Sequence, residues 1–283
     1  MNLKKQLELT RWGTSILTWG WTIVVVLPLI FLVSVSLSAD VNQNSFAFWI
    51  FPAHPTFENY TGAFEFMSAL ELPLPSIFVN SAIATGGAVI GSLIVSTLAA
   101  FAIVFLRLPG RRLWFNVICI GLVVPTSVMI IPEFLTVHRL GLEGRPALIL
   151  PYIAFGLSLP TLLLTLFFGA LPKYLIDAAV VDGVSTWQLL TRIVLPLSRP
   201  VLATVALLLF VTFWNEYPLA LNLIRDTGQS TLPLAIANTN TRAGTPYPVV
   251  AAIMVMATIP VLAVLAFGQR QLVEGLTQGG AKE

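Results

Sequence analysis

Residues 177–200, DAAVVDGVSTWQLLTRIVLPLSRP, form a polar stretch in a chain whose flanking segments are almost wholly apolar. The stretch holds two aspartates, two arginines, one glycine and two prolines. Proline and glycine are the residues that most strongly indicate where helices and strands end or turn. Their placement predicts two short helices joined by a glycine turn, between two hydrophobic spans.

The ends of these two helices are marked by specific residues. Pro172 suits a first helical turn, where its missing N–H is no loss. Gly183 is placed to end the first helix in a left-handed conformation. Ser185 and Gln188 have the spacing of a capping box, which predicts the start of the second helix. Pro196 is predicted to break that helix.

The first helix is predicted to be amphipathic. Tyr174, Ala178 and Val181 fall on one face at i, i+4 and i+7, and Asp177 and Asp182 fall toward other faces. A rigid helix pair joined to two spans could transmit a movement of a partner protein to those membrane-spanning helices. The alternative is a solvated interfacial helix without a partner.

The composition of the chain is that of a membrane protein. It has 283 residues, of which 57% are hydrophobic and 10% charged, and its mean hydropathy is +0.88. Soluble proteins have about 25% charged residues, so the surroundings of this chain must be largely a lipid bilayer. The net charge of +2 is too small to indicate nucleic-acid binding. One cysteine and two isolated histidines make a metal site improbable.

Apolar runs long enough to cross a bilayer, about 20 residues each, predict the topology. Eleven lysines and arginines lie on the side of the N-terminus and four on the other, which predicts that both termini are cytoplasmic. The first span is interpreted as an uncleaved helix, because its apolar run is too long for a signal peptide. The predicted spans are 14–38, 79–106, 113–135, 147–171, 200–221 and 247–268.

These spans divide the chain into segments with predicted locations. The segments are a cytoplasmic N-terminus (1–13), the first span (14–38), an extracytoplasmic loop (39–78), a core with five helices (79–271) that contains the cytoplasmic loop 172–200, and a cytoplasmic tail (272–283). Within the core, Gly87 and Gly91 have the G-x-x-x-G spacing that lets another helix approach closely. No phosphate-binding loop follows them or occurs elsewhere, so any ATP must bind to another chain.

The polar stretch resembles the EAA loop of ABC-transporter permeases, E-A-A-x-x-D-G followed by nine residues and I-x-L-P. The matching residues are Asp177, Ala178, Ala179, Asp182, Gly183, Ile193, Leu195 and Pro196. Other stretches resemble carbohydrate-importer permeases: PTFENY (55–60), FVNS (78–81), FLTVHRLGL (134–142), FWNEYPLAL (213–221) and the ending QRQLVEGLTQGGAKE (269–283). These matches cover most of the chain from residue 55 to its end.

The resemblance implies a fold, a function and partners. The expected fold is an all-α integral membrane protein with six transmembrane helices, the type I ABC importer permease fold, and a cytoplasmic coupling helix. The chain would be the sugar-transporting subunit of an importer in the cytoplasmic membrane, and not an enzyme. Its expected partners are a second related permease, a dimer of ATPase subunits that hold the ATP and magnesium, and an extracytoplasmic solute-binding protein.

The resemblance also assigns residues to the ATPase interface. The EAA residues would contact an ATPase subunit, although the family usually has glutamate where this chain has Asp177. A C-terminal contact with the ATPase dimer would involve Gly275, Leu276, Thr277 and Gly279, in an ending that departs from the family pattern.

Acidic residues near the membrane need a reason, because a carboxylate within a bilayer costs roughly 2.5–3.5 kcal/mol on insertion scales. Glu133 and Glu216 are such residues, and both could simply reach the interface. Asn215, Glu216 and Tyr217 are candidates for the translocation path. Trp214 and Tyr217 could stack on a sugar ring or form an interfacial aromatic belt.

Three other functions stay open on the residues alone, and one of them is a structural or assembly membrane protein without transport. The solute could be other than a sugar, because importers of phosphate, amino acids or polyamines share the EAA loop. A proton-coupled carrier that uses Glu133 or Glu216 would need no ATPase, but that mechanism leaves the polar stretch without a role.

Overall fold

The structure, a computed structural model, describes residues 3–39, 52, 54–106, 108–240 and 246–280. Within these residues the secondary structure is helical apart from one isolated bridge between Ser38 and Pro55. The prediction of an all-α fold is thereby confirmed. The helices are α1 (Leu3–Ser36), α2 (Glu58–Ala69), α3 (Leu74–Phe105), α4 (Arg111–Ile120), α5 (Thr126–Arg139), α6 (Gly144–Phe155), α7 (Ser158–Ala170), α8 (Lys173–Val181), α9 (Thr186–Gln188), a π-helix (Leu189–Val194), α10 (Leu195–Leu197), α11 (Arg199–Trp214), α12 (Pro218–Leu223), a 3₁₀ turn (Thr227–Gln229), α13 (Leu232–Asn240) and α14 (Tyr247–Gly280).

Three continuous helical segments in the described part of the chain are long and apolar enough to cross a membrane: Thr14–Ser36, Leu74–Phe105 and Tyr247–Gln271. Two further candidates are bent pairs, Gly144–Phe155 with Ser158–Ala170 at 44° and Thr186–Leu197 with Arg199–Trp214 at 77°. The described residues therefore contain three to five candidate spans, and the predicted count of six is not confirmed.

The predicted third span, 113–135, is not one helix. It is divided into α4 and α5, separated by residues 121–125. Pro125 lies just before α5 in an extended conformation, with ψ at 136°. Proline disfavours the helical conformation in the residue before it and donates no hydrogen bond, so α4 cannot run on into α5.

The other predicted boundaries differ from the structure in smaller ways. Helix α1 begins at Leu3, inside the segment predicted as a cytoplasmic N-terminus, and its apolar part, Thr14–Ser36, begins where the predicted span 14–38 begins. The predicted span 200–221 is interrupted after Trp214 and resumes at Pro218. The predicted loop 39–78 contains α2 and the start of α3, while residues 40–51 lie outside the described residues.

The chain divides into two compact units, of which the first contains residues 1–70 and 236–259. In this unit the PTFENY stretch ties α2 to the end of α1. The Asn59 side-chain amide donates to the carbonyl oxygens of Ser36 (3.0 Å) and Ser38 (2.8 Å), and Tyr60 Oη forms a hydrogen bond with Ser36 Oγ at 2.8 Å. These contacts satisfy carbonyl groups that the helix end leaves without partners.

The second unit contains residues 71–235 and 260–283. Its core lies where α3 packs against α6, α7 and α11. A Cβ atom added at Gly87 would meet Ile149, and one added at Gly91 would overlap the side chain of Ile153. The prediction that the G-x-x-x-G face admits a close helix is confirmed, and the close helix is α6.

Candidate functional site

Helix α8 ends in the motif that the sequence predicted. Gly183 has φ of +73°, the amide of Val184 donates to the carbonyl of Ala179 at 3.1 Å, and the amide of Gly183 donates to Val180 at 3.1 Å. This pair of bonds is a Schellman motif, which needs a residue that adopts the left-handed conformation. The predicted role of Gly183 is confirmed.

Two residues of α8 attach the helix to the core of the second unit, and neither belongs to the face formed by Tyr174, Ala178 and Val181. Ala179 is 5% exposed, and Ile176 packs against the same core. The predicted apolar face is instead the open one, since Tyr174 is 71% exposed and Val181 86%. An exposed apolar helix face of this kind is available for contact with another protein or with lipid.

The two aspartates of α8 and its turn are also open. Asp177 and Asp182 are exposed, and neither carboxylate has an ion pair or hydrogen bond among the described residues. Ala178 is exposed beside them. This end of the second unit therefore presents free carboxylates next to uncovered apolar side chains.

The second short helix begins as predicted and ends later than predicted. The backbone amide of Gln188 donates to Ser185 Oγ at 3.3 Å, and Gln188 Oε1 accepts from the amide of Ser185 at 3.0 Å, so the capping box is confirmed. The expected break at Pro196 is wrong. The helix continues through the π-helical segment, and Pro196 lies in the first turn of α10, where a missing N–H is tolerated.

The remaining EAA-like residues lie on this second helix. Ile193 and Leu195 are half-buried against the core, and Pro196 is exposed. The chain then bends by 77° between Leu197 and Arg199. The whole segment from α8 to α10 is thus attached to the core by its apolar side chains, and the bend connects it directly to α11.

The second feature of interest is the break between α11 and α12, where Asn215, Glu216 and Tyr217 lie. Glu216 lies within hydrogen-bonding distance of three donors: the hydroxyl of Tyr152 (2.6 Å), the amide of Leu219 (2.7 Å) and the amide of Ala220 (3.2 Å). The Glu216 carboxylate therefore caps the start of α12 and links it to α6. Glu216 is partly buried, and these three bonds hold its carboxylate within the protein.

The neighbours of Glu216 in the sequence have different surroundings. Asn215 is exposed, and its amide donates to the carbonyl of Val211 in the same helix at 2.8 Å. Tyr217 is half-buried against the core. Trp214 is only 5% exposed and packs near the rings of Phe78 and Phe210, so within this chain it is a core residue rather than an open stacking platform.

A cavity of about 290 Å³ lies beside Glu216. Its wall is mainly apolar and includes the stacked rings of Tyr152 and Phe213, whose centroids are 5.0 Å apart. The polar groups on the wall are the Glu216 carboxylate and the hydroxyls of Tyr152, Thr126 and Thr212. The other lining residues are Gly121, Leu122, Val124, Phe155, Gly156, Leu159, Pro160, Leu163, Val205, Leu208, Leu209 and Leu219.

Glu133 lies on α5, which packs against α12. Its Oε2 atom is buried without a hydrogen-bond partner among the described residues, and its charge repels that of Glu216. The two acids are 83 residues apart in the sequence, and no local pattern indicated that they lie near each other. Among the described residues no group of three or more histidine, cysteine or acidic side chains could hold a metal ion.

A model of a known protein family, described as "Binding-protein-dependent transport system inner membrane component", matches residues 93–277, more than half of the chain. The matched region contains both the α8 segment and the cavity beside Glu216. This chain belongs to that family. It is accordingly a multi-pass membrane component of a binding-protein-dependent transport system.

Full-length relatives support the family assignment. The permease is 33% identical over 265 residues to a trehalose transport system permease of Mycobacterium tuberculosis, covering 91% of this chain and 92% of that protein. It is 31% identical over 262 residues to a diacetylchitobiose uptake system permease of Streptomyces coelicolor (92% and 85%). It is 30% identical over 261 residues to an sn-glycerol-3-phosphate transport system permease of Rhizobium meliloti (90% and 92%).

Two solved structures have the same fold as this permease. One is a chain of a bacterial ABC transporter that imports the acidic polysaccharide alginate, with a TM-score of 0.79, 24% identity and coverage of 95% of this chain and 98% of that chain. The other is a bacterial alginate ABC transporter in complex with an alginate pentasaccharide-bound periplasmic protein, with a TM-score of 0.69, 16% identity and coverage of 95% and 94%.

The C-terminal residues predicted to contact the ATPase dimer, Gly275, Leu276, Thr277 and Gly279, lie in the last turns of α14. The predicted tail 272–283 is therefore helical as far as Gly280, because α14 runs through it. The side chains of this part of the permease, and residues 281–283, lie outside the described residues.

Proposed function

We propose that this permease is the membrane subunit of an ATP-driven importer that moves a carbohydrate across the cytoplasmic membrane. The observation that carries the proposal is the α8 segment, a capped helix with free carboxylates and an uncovered apolar face. A dimer of separate ATPase subunits, which hold ATP and magnesium, would cover this surface. The permease itself would catalyse no bond chemistry.

The coupling residues in this proposal are those that match the EAA loop. Asp177 and Asp182 offer charges for pairing, and Ala178 offers a small exposed surface between them. Ala179 and Ile193 connect the segment to the core. A displacement of α8 would pass through these apolar contacts into α7 and α11, which are two of the helices that line the cavity beside Glu216.

Asp177 is one methylene shorter than the glutamate usual in the family. The carboxylate is exposed and unpaired in this chain, so no internal contact compensates for its shorter reach. We expect closer docking of α8 against the ATPase at this position, or a bridging water. The helices that end at Gly183 and at Gly280 would both face the ATPase dimer, with both termini of the permease in the cytoplasm.

The proposal that the solute is a carbohydrate is supported by the relatives and by the cavity, and not by the α8 segment. Three of the relatives transport trehalose, diacetylchitobiose and sn-glycerol-3-phosphate, according to their names. All three solutes carry several hydroxyl groups. The cavity beside Glu216 has three hydroxyl-bearing side chains on an otherwise apolar wall, which suits a polyhydroxylated solute.

The cavity distinguishes among residues 215–217, which the sequence indicated together as candidates for the translocation path. Of those three residues only Glu216 lines the cavity. We assign Glu216 to the wall of the path, while a second related permease would supply contacts on the facing side. Asn215 and Tyr217 are retained as neighbouring candidates, because Asn215 is exposed and Tyr217 half-buried.

The test of this function is uptake by the complete transporter in proteoliposomes that contain the permease, its partner permease, the ATPases and a solute-loaded binding protein. Gly183→Pro should abolish ATP-dependent uptake, because proline cannot adopt a φ of +73° and removes the amide that donates to Val180. Gly141 provides a matched control. It ends α5 with the same pair of bonds and a φ of +64°.

Gly141→Pro should therefore cause a similar local strain while leaving the ATPases bound. The discriminating measurement is co-purification of the ATPase subunits, which Gly183→Pro should lose and Gly141→Pro should keep. Full uptake with Gly183→Pro would refute the coupling role of α8. Uptake driven by a pH gradient alone, without ATP or the partner chains, would refute the ATP-driven importer.

A further inference from the structure

Asn80, from the FVNS stretch, is a buried amide whose hydrogen-bonding groups all serve tertiary contacts. It is 2% exposed. Its Nδ2 atom donates to the carbonyls of Gly228 (2.9 Å) and Ser230 (3.2 Å), and its Oδ1 atom accepts from Arg145 Nη2 (2.8 Å). One side chain thereby joins α3, the start of α6 and the loop after α12.

A second set of bonds holds the same loop. Gln229 Oε1 accepts from the backbone amide of Arg145 at 3.0 Å, and Gln229 Nε2 donates to Asp226 Oδ2 at 3.0 Å. Asp226 Oδ1 accepts from the amide of Gly228 at 2.9 Å. At the far end of the loop, Ser81 Oγ accepts from the amide of Leu232 at 2.7 Å.

These bonds fix a loop whose outer side is open. Residues 225–228 are exposed, whereas Asn80, Ser81 and Ser230 beneath them are each 2% exposed. Fixing an exposed loop from below reduces the conformational entropy that the loop loses when a partner binds it. A surface loop held by buried polar groups is therefore suited to recognition.

The loop lies at the opposite end of α3 from the α8 segment. Phe105, at the far end of α3, packs near Phe168 with ring centroids 6.2 Å apart, and Phe168 lies just before α8. Asn80 is 25 residues before Phe105, which corresponds to about 37 Å along a helix. If α8 faces the cytoplasm, as the proposed function requires, the loop faces the other side of the membrane.

We propose that Asn80 and Arg145 are positioning residues that hold residues 225–229, the docking loop, in a preformed conformation for the soluble solute-binding protein. This inference rests on the proposed function, which places that partner on the side of the loop. The family description, a binding-protein-dependent transport system, requires such a partner. Asn80 and Arg145 act through the loop and make no contact with the solute.

The surface beside the docking loop has a recess that suits a projecting side chain of the partner. Its volume is about 280 Å³, and the guanidinium of Arg225 lies 5.4 Å from the ring centroid of Phe134 at its wall. Charges of both signs surround it, which allows salt-dependent pairing with a soluble protein. The negative charges on its wall are those of Glu143 and Asp226.

The test measures ATP hydrolysis by the complete transporter in proteoliposomes against the concentration of solute-loaded binding protein. Asn80→Ala should raise the half-saturating concentration about tenfold, because the loop must then be ordered at the expense of binding free energy. The maximal rate at saturation should stay that of wild type. Asn222→Ala is the matched control, since the Asn222 amide donates only to Pro218 in its own helix, and it should change neither parameter.

A second variant and a direct probe keep the test informative if Asn80→Ala folds poorly. Gln229→Ala removes two bonds of a half-buried side chain and should raise the half-saturating concentration about threefold. A spin label on Thr227→Cys, in a Cys119→Ser background, should become more mobile in both variants. An unchanged half-saturating concentration in both variants overturns this inference alone. A wild-type transporter that does not respond to binding protein overturns the proposed function as well.

Discussion

The hydrogen bond from Tyr152 to Glu216 gives a prediction whose size follows from the structure. Tyr152→Phe removes the hydroxyl that lies 2.6 Å from Glu216 Oε2 and leaves the ring stacked on Phe213. The substitution adds no bulk to the cavity and leaves the two amide donors of Glu216 in place. We expect it to weaken the link between α6 and the break after α11.

The loss of stability expected for Tyr152→Phe depends on the charge of the acceptor, Glu216, and on the burial of Tyr152. A hydrogen bond to a charged group contributes about 1.5–3 kcal/mol. Tyr152 is 1% exposed, so the bond lies in surroundings largely shielded from bulk solvent. We therefore expect Tyr152→Phe to lower the free energy of unfolding by about 2 kcal/mol.

Equilibrium unfolding of the purified, detergent-solubilised permease is the assay, with a double-mutant cycle that includes Glu216→Gln. The coupling energy between the two positions should be about 1–2 kcal/mol, within the range for residues in direct contact. Tyr60→Phe is the control. The Tyr60 hydroxyl bonds to the neutral Ser36 hydroxyl, so Tyr60→Phe should lower the free energy of unfolding by only about 0.5–1.5 kcal/mol. Its effect should be additive with that of Glu216→Gln.

Two results would refute the reasoning. A coupling energy near zero would mean that the Tyr152 hydroxyl and the Glu216 carboxylate do not stabilise each other. A loss with Tyr60→Phe as large as that with Tyr152→Phe would mean that the charge and burial of the acceptor do not set the size of the effect.

Three further substitutions test other contacts. Gly91→Leu should destabilise the permease by about 1–3 kcal/mol, because a side chain there overlaps Ile153. The control Gly86→Leu places its side chain in open space and should leave stability unchanged, and thermal unfolding measures both variants. Asn59→Ala should lower stability by about 1–2 kcal/mol through the loss of two bonds to the end of α1, which a denaturation series would measure. Asp177→Lys should abolish co-purification of the ATPases while Asp177→Glu preserves it; retention by the lysine variant would exclude Asp177 from the interface.

The parts of the structure that the sequence predicted are those specified by neighbouring residues. The end of α8 at Gly183 and the capping box of Ser185 and Gln188 depend on residues within four positions of each other. The close approach at Gly87 and Gly91 depends on a spacing within one helix. In each case a local steric or hydrogen-bonding requirement admits few residue types, so the pattern identifies the structure.

The parts that the sequence did not predict depend on residues far apart along the chain. Tyr152 and Glu216 are separated by 64 residues, and Asn80 and Gly228 by 148. The periodicity of α8 did not indicate which face contacts the core, because an exposed apolar face and a buried one have the same periodicity.

The interruption after Trp214 explains why an acidic residue is tolerated in an otherwise apolar segment. A helix break within lipid leaves backbone amides without partners, and such breaks persist only where other groups satisfy them. The Glu216 carboxylate accepts from the amides of Leu219 and Ala220 and from the Tyr152 hydroxyl, so most of its accepting capacity is already used. In the proposed transport path it therefore shapes the cavity rather than serving as a free acceptor for the solute. A charged solute would need its counter-charge from another chain, whereas a neutral sugar would not.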